Sequence, residues 1–243
     1  SSAVKKYIDF FGVACGENNI LLTNNDSAYE TVISLIQKGI KVEAIIDNRE
    51  HVDSKLLYEV EKNSIKVYKG FTIVDTFGYK RINKVSIMQL SKDGQNVIGS
   101  KINLACDCLG VSGGWTPAVH LFTQSGGKLK FREEDQVFIP DKYPSDQISV
   151  GSCNGDLALD DIFINTPKYL KEFLDIKKTD YDKIEVFSSE NSSKRNIWLL
   201  PSDKILGKTK SFVDYQNDAT AKDIKLALRE GFRSIEHVKR YTT

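Results

Sequence analysis

The sequence is poor in side chains that do chemistry, and their spacing narrows the choice further. Its four cysteines are Cys15, Cys106, Cys108 and Cys153. None forms a Cys-x-x-Cys pair and no histidine stands at ligand spacing from them, so no metal set is expected. Cys106-Asp107-Cys108 is the one close pair. On a strand, positions two apart face the same side. Two small buried side chains are expected there, with a redox pair as the competing reading. His51 follows an acidic residue and reads as solvated. His120 sits in an apolar helical run and reads as a core or interface residue. His237, near Lys239 and Arg240, reads as surface or subunit interface. No Ser/His/Asp triad or paired-carboxylate site emerges. The expectation is no catalytic residue and no metal site, and a chemistry of binding rather than of bond breaking.

Three features could bind. The first is Asp47, which ends the apolar run Lys41–Ile46 about 20 residues past the turn Thr23-Asn24-Asn25-Asp26-Ser27-Ala28, where a ribose-binding acid would stand in a dinucleotide fold. The turn itself argues against phosphate. It has no glycine, and Asp26 places a carboxylate where pyrophosphate would dock. The other two are glycine loops at the carboxyl ends of apolar runs. Leu104–Leu109 opens into Gly110-Val111-Ser112-Gly113-Gly114-Trp115-Thr116-Pro117, and Gln147–Val150 opens into Gly151-Ser152-Cys153-Asn154-Gly155-Asp156. Small residues at a strand's carboxyl end let a backbone approach a ligand. Trp115 could shield a cofactor or simply pack.

The elements that must position these loops are legible. Val4, Tyr7, Ile8 and Phe11 repeat at helical spacing, and Gly12 stops the run. Asn19–Thr23 reads as a strand. Asn25 and Asp26 are N-cap types before the helical segment SAYETVISLIQKGI at 27–40, Gly39 takes its C-terminal cap position, and Lys41–Asp47 is a second strand. Strand, turn, helix, strand and acid outline a βαβ nucleotide unit. Residues 53–62 read as helix. Strand patterns follow at Ile65–Tyr68, Phe71–Val74 and Lys84–Leu90, with a turn at Lys92-Asp93-Gly94-Gln95 and a return over Asn96–Leu104. Leu104–Leu109 and Gln147–Val150 read as buried strands, and Lys168–Leu174 as helix. SSENSSKR at 188–195 reads as a linker. Near the end, Thr220 and Asp223 have capping-box spacing before a helix that Gly231 closes, and Ser234 starts a last one.

The fold expected is α/β, a Rossmann-like domain of the pyridine-nucleotide-disulfide-reductase type with a small C-terminal helical segment. Its parts are an entry helix or linker (1–15), a degenerate NAD(P)-binding-like unit (16–105), a return segment of an FAD/NAD-binding-like domain (106–187), and a linker with a small helical domain (188–243).

Composition bounds the partners. The chain has 243 residues, 34 Lys and Arg against 33 Asp and Glu, and a net charge of +1. It has no basic excess for a phosphate backbone, so nucleic acid is excluded as a main partner. No apolar run of about 20 residues appears, so no membrane partner is expected. The single methionine is the interior Met88, and the chain opens Ser1-Ser2-Ala3, which reads as a piece of a longer polypeptide, with removal of a first Met before a small residue as the alternative. Free cysteines without a signal peptide suggest the cytoplasm.

Four stretches carry a resemblance to one family, the alpha subunit of heterotetrameric sarcosine oxidase. They are Thr23-Asn24-Asn25-Asp26-Ser27-Ala28-Tyr29; Gly113-Gly114-Trp115-Thr116-Pro117 with the continuing AVHLFTQSGGKL; Gly151-Ser152-Cys153-Asn154-Gly155; and KSFVDYQNDATAKDIKLALREGFRSIEHVKRYTT at 210–243. The resemblance covers the whole chain but only an internal part of the family's subunit. It implies a role in oxidative demethylation of sarcosine to glycine. The one-carbon unit passes to tetrahydrofolate or leaves as formaldehyde, and oxygen becomes hydrogen peroxide. It implies partners in beta, gamma and delta subunits, with FAD and FMN in the wider complex. It also implies a small-molecule dinucleotide, noncovalent NAD, whose site is incomplete within these residues.

By position, Ser152, Leu157 and Leu159 carry over as NAD contacts; with Gly151, Asn154 and Gly155 they form the expected cofactor-binding set. Ser152 stands where flavin-dependent reductases carry an acid, which argues against a flavin site. Relatives that hold a [2Fe–2S] cluster in the stretch matching 210–243 use cysteines, and none follows Cys153 here. The alternatives are an interaction module with a vestigial nucleotide fold, a subunit of a related amine or opine dehydrogenase, or a stand-alone reductase using Cys106 and Cys108.

Overall fold

The computed structural model describes residues 1–144, 146–175 and 196–243; the linker expected at 188–195 lies outside them. Its centre is a four-stranded sheet in the order β3-β2-β1-β7, built from β1 (Asn18–Thr23), β2 (Lys41–Asp47), β3 (Lys66–Lys69) and β7 (Cys108–Ser112). Every pairing in it is parallel. Both faces of β1 are therefore covered, and its apolar run is buried throughout.

One face carries α1 (Ser2–Phe11), α2 (Ser27–Gln37) and α3 (Lys55–Lys62). Leu21 and Ile45 turn to this side and pack with Ile8, Tyr29, Val32, Leu35, Leu57 and Val60. The other face carries an antiparallel meander of β4 (Phe71–Gly78), β5 (Ile82–Leu90) and β6 (Val97–Ala105). Ile20, Leu22, Ala44 and Ile46 meet Val85, Ile87 and Cys106 there. Leu21 alternates with Ile20 and Leu22 as a strand requires. In β2 the alternation slips, because the register skips from Asn19↔Val42 to Ile20↔Ala44. That irregularity puts Val42 and Ile45 on the helix side together, and it leaves Asp47, two beyond Ile45, facing α2.

The βαβ reading, the meander and the helix at 53–62 are present, the helix capped by the Ser54 side chain on Leu56 N–H at 3.3 Å. Two strand expectations change. The run Leu104–Leu109 is two elements, since β6 ends at Ala105 and β7 begins at Cys108. The break comes at Asp107, whose carboxylate turns back to accept from the Glu17 and Asn18 N–H groups at 3.0 and 2.8 Å. The sheet begun by β1 therefore closes with β7, running past residue 105. Gln147–Val150 forms no strand among the described residues, although Val150 itself is extended.

Beyond β7 come α4 (His120–Gln124), the hairpin β8 (Lys128–Arg132) and β9 (Val137–Lys142), a 3-10 turn at Gly151–Asn154, and α5 (Leu159–Leu174). α5 starts nine residues before Lys168, the expected start, and runs through Pro167. The C-terminal unit is a short hairpin, β10 (Phe212–Asp214) with β11 (Ala219–Thr220), followed by α6 (Ala221–Arg229) and α7 (Ile235–Thr242). Among the described residues no helix is long and apolar enough to cross a membrane.

Candidate functional site

The turn between β1 and α2 is held by its own side chains. Thr23 Oγ1 donates to Asn25 O at 2.7 Å, and Asn25 Oδ1 accepts from the Ser27 N–H at 3.1 Å and the Ser27 hydroxyl at 2.5 Å. This is an Asx turn. Asp26 occupies the N-cap position in a helical conformation and makes no side-chain cap, so the free amide next to it is satisfied by Asn25 instead. In a glycine-rich turn that amide would face phosphate.

Asp26 and Asp47 have another partner. Asp47 is wholly buried. Its Oδ1 accepts from Arg49 N–H at 2.9 Å and Arg49 Nε at 3.0 Å, and its Oδ2 accepts from Arg49 Nη2 at 2.7 Å and Tyr29 Oη at 2.9 Å. The same Arg49 Nη2 lies 2.8 Å from Asp26 Oδ1. Burial works against the Arg49 charge, but the hydrogen bonds and charges of Asp47 and Asp26 outweigh it and hold the guanidinium charged. Burial first, then the Asp47 carboxylate, pushes Tyr29 well above the ordinary tyrosine range. The acid expected to meet a ribose is thus enclosed by protein. A dinucleotide does not fit this end of the cleft: no glycine opens the turn, the Ser27 amide is taken, and Arg49 fills the gap between the two acids.

What remains at the carboxyl edge is a cavity of about 230 Å³ beside β1 and β7, lined by Leu22, Asn24, Asn48, Ser112, Trp198 and Leu200 among others. β1 connects through α2 to β2 on one side, while β7 returns on the other, so this is where the strand order reverses. The segment 196–200 forms the cavity's outer wall. Asn24 Nδ2 donates to Gly113 O at 3.2 Å and to Asn196 Oδ1 at 3.3 Å. Asn196 Nδ2 in turn donates to Asp135 O at 2.9 Å, and Trp198 Nε1 to Gln136 Oε1 at 2.7 Å.

This hairpin ties the first glycine loop to the second. Arg132 grips Asp135 through Nε at 2.8 Å and Nη2 at 2.5 Å, and Nη2 also donates to Gly155 O at 3.1 Å. Gly155 has φ +91, and an added Cβ would lie 2.9 Å from both Arg132 Nη2 and Ile139 Cγ2. Its lack of a side chain serves packing. Gly151 is buried with φ +65, a conformation that favours glycine. Ser152 and Leu159 are exposed, and Leu157 is half-buried. Asn154 accepts from Tyr143 Oη at 3.1 Å and, with Tyr169, lines a second cavity of about 380 Å³. The expected cofactor set is therefore one contiguous loop, with Gly151 buried against Ile162 at its start and apolar side chains at its far end. That chemistry is compatible with a dinucleotide held through backbone and apolar contacts. None of the six lines the cavity at β1 and β7.

The remaining candidates separate. Cys106 is buried against the meander, and burial, then the Asp107 charge, pushes its thiol up to about 11. Cys108 begins β7, half-buried, and burial raises its thiol too. The two are not on one strand, and neither is poised as a thiolate nucleophile. Cys153 is exposed. His51 and His237 are exposed as expected; His120 is exposed too, which removes the core half of its core-or-interface reading, because Phe122 is the residue α4 buries. Trp115 is 57% exposed.

Arg49, Tyr29 and the wall at Asn196–Leu200 escaped the sequence reading. Arg49 had a signal, the Asp-x-Arg spacing at a strand end, which brings acid and base to one side. The wall had none, since its contacts span more than sixty positions.

The fold and site define a class: an α/β domain with a dinucleotide-type strand order whose own nucleotide cleft is filled from within. Comparison with known proteins is consistent across the chain. Residues 208–243 match the sarcosine oxidase A3 domain family. The whole chain is 30% identical to sarcosine oxidase subunit alpha of Corynebacterium sp. (strain P-1), of which it covers 25%. It is 28% identical to that of Rhizobium meliloti (strain 1021), of which it covers 23%. The resemblance thus extends over the full chain, which spans about a quarter of the length of these relatives. Among solved structures, L-proline dehydrogenase from P. horikoshii aligns with 98% of this chain and 42% of its own at 16% identity and TM-score 0.48. T. acidophilum thioredoxin reductase aligns with 65% and 52% at 13% identity and TM-score 0.42.

Proposed function

We propose that this chain is part of the alpha subunit of a sarcosine oxidase complex. The subunit serves oxidative demethylation of sarcosine to glycine in the cytoplasm, with beta, gamma and delta partners. The one-carbon unit goes to tetrahydrofolate or leaves as formaldehyde with hydrogen peroxide, and FAD and FMN are held elsewhere in the complex. The supporting observation is likeness to alpha subunits along the entire chain.

Within that complex the chain's part is scaffolding and NAD holding. Gly151, Ser152, Asn154, Gly155, Leu157 and Leu159 are the residues that would hold NAD, completed by chain outside these residues. The supply of redox chemistry belongs to the cofactors. These residues position and enclose. The filled β1–α2 cleft specifically favours a second reading, an interaction module whose nucleotide fold is vestigial, and the same experiment separates the two. The full-length chain is co-purified with its partner subunits, and sarcosine-dependent peroxide and bound NAD are both measured. Leu159→Asp is expected to lower the NAD content several-fold while the complex stays assembled. Unchanged NAD in that variant would remove the loop from the site, and absence of NAD from the parent complex would leave the interaction module. No sarcosine turnover would sink the family function.

A further inference from the structure

Cys15, Cys106 and Cys108 lie where the connection between α1 and β1 passes the start of β7, and the strand break at Asp107 sorts them. Cys106 turns into the core under the meander, with Val85 and Ile87. Asp107 accepts from the Glu17 and Asn18 N–H groups, and so draws the connection against β7. Cys108 follows, opposite Asn19 in the parallel register. The connection passes it closely. A Cβ built on buried Gly16 would lie 2.6 Å from Cys108 Cβ and 2.5 Å from Asp107 Oδ1, so position 16 has no room for a side chain. Cys15 is one Cα step of about 3.8 Å further along. Its thiol is near enough to act on Cys108: burial first, and then Cys15, raise the Cys108 thiol. Both cysteines are free and half-buried. A disulfide joins Cα atoms up to about 7 Å apart, a span that suits neighbours on adjoining backbone segments.

We infer that Cys15 and Cys108 are a modification site, a thiol pair that hydrogen peroxide closes into a reversible disulfide fastening the α1–β1 connection to β7. The Cys15 sulfur, as thiolate, attacks one peroxide oxygen and the O–O bond breaks. This leaves a sulfenic acid and a hydroxide, which takes up the proton that Cys15 released. The Cys108 sulfur then attacks the sulfenic sulfur. The S–S bond forms, the S–O bond breaks, and the hydroxyl leaves as water with the Cys108 proton. Two thiols lose two electrons and two protons, and the peroxide becomes two waters. Cys108 takes the second part because its raised thiol holds its proton longer. Cys106 does not compete, since its side chain is packed into the core. The bond encloses every element from β1 to β6, so it restrains the unfolded chain and stabilises the fold. The inference rests on these thiols alone; the oxidase reading adds only a source of peroxide.

The test treats the reduced full-length chain with hydrogen peroxide, in buffer and in urea, and maps its non-reduced peptides by mass spectrometry. Cleavage before aspartates cuts at Asp107 and so separates Cys106 from Cys108. The native chain is expected to yield a Cys15–Cys108 linked peptide that dithiothreitol releases, formed roughly tenfold faster or more than in urea, with Cys106 still a thiol. The melting temperature should rise by about 5 °C or more on oxidation and fall back on reduction. Cys108→Ser should lose both the linked peptide and the rise, while Cys106→Ser should keep both. Over-oxidation of Cys15 with no linked peptide overturns the inference. So does Cys108 joined to Cys106, a bond that forms as fast in urea as in buffer, or one that leaves melting unchanged. If the full-length chain in its complex turns over no sarcosine, the oxidase reading falls and the map with added peroxide still decides this one.

Discussion

Arg49 lies flat along Asp47, with Nε 3.0 Å from Oδ1 and Nη2 2.7 Å from Oδ2, and both side chains are almost wholly inside the protein. A bidentate pair of this kind fixes planar geometry as well as charge. Its third member, Asp26, comes from the other side of the cleft, so the pair also fastens the β1–α2 turn to the end of β2.

Arg49→Met should therefore destabilise the chain by about 3–5 kcal/mol, because it strands buried Asp47 without its counter-ion. The double variant Asp47→Asn with Arg49→Met should be milder than Arg49→Met alone, since the uncompensated charge goes too. Urea unfolding of the four proteins in the cycle measures the coupling. Equal losses in both would mean that Arg49 acts by packing alone.

Tyr29 gives this network a pH signature. Its hydroxyl donates to Asp47 Oδ2, and burial raises its pKa first, with the carboxylate adding to it. A raised value means the folded chain holds the proton more tightly than the unfolded one. The stability this contributes is complete below about pH 10, the ordinary tyrosine value. It is lost as pH climbs beyond, at up to about 1.4 kcal/mol per pH unit. Tyr29→Phe should remove that alkaline slope and cost about 1.5–3 kcal/mol at neutral pH by deleting a hydrogen bond to a buried charge. Denaturation across the alkaline range, parent against variant, reads both.

The elements visible in the sequence are those set by short-range pattern. The run Ile20-Leu21-Leu22 announces a strand covered on both faces. Thr220 and Asp223 announce a cap, and the Thr220 N–H and hydroxyl do both donate to Asp223 Oδ2, at 2.9 and 2.6 Å. Asp107 hides a strand break inside an apolar run, because its role is to accept from Glu17 and Asn18 far away in the chain. Leu159 begins a helix that local signals place later, since Pro167 looks like a stop. The candidate loop was legible as small residues after an extended run. The filled cleft was half legible, in the missing glycines and Asp26. Its other half, Arg49 bridging two acids on different elements, depends on tertiary geometry.

Thiol chemistry tests the reductase alternative. Cys106 is buried, with its thiol pushed up to about 11, while Cys153 is exposed. Timed alkylation at neutral pH, read by mass spectrometry, should label Cys153 first and Cys106 last, with Cys106 protected until the chain unfolds. Rapid labelling of Cys106 as a reactive thiolate would restore the redox pair.

Gly155 separates a ligand role from a packing role. Its φ of +91 is one that alanine adopts only with strain, and the added methyl would press on Arg132 Nη2 and Ile139 Cγ2. Gly155→Ala should cost more than about 1 kcal/mol. The strain should also travel, because Arg132 holds Gly155 O and Asp135 at once and Asp135 O holds Asn196. Amide exchange in residues 196–200 should quicken in the variant, while exchange in β1 and β2, which rest on the separate Arg49 network, should not. Were the glycine there only to let a ligand approach, the variant would keep its stability and its exchange pattern and lose NAD alone.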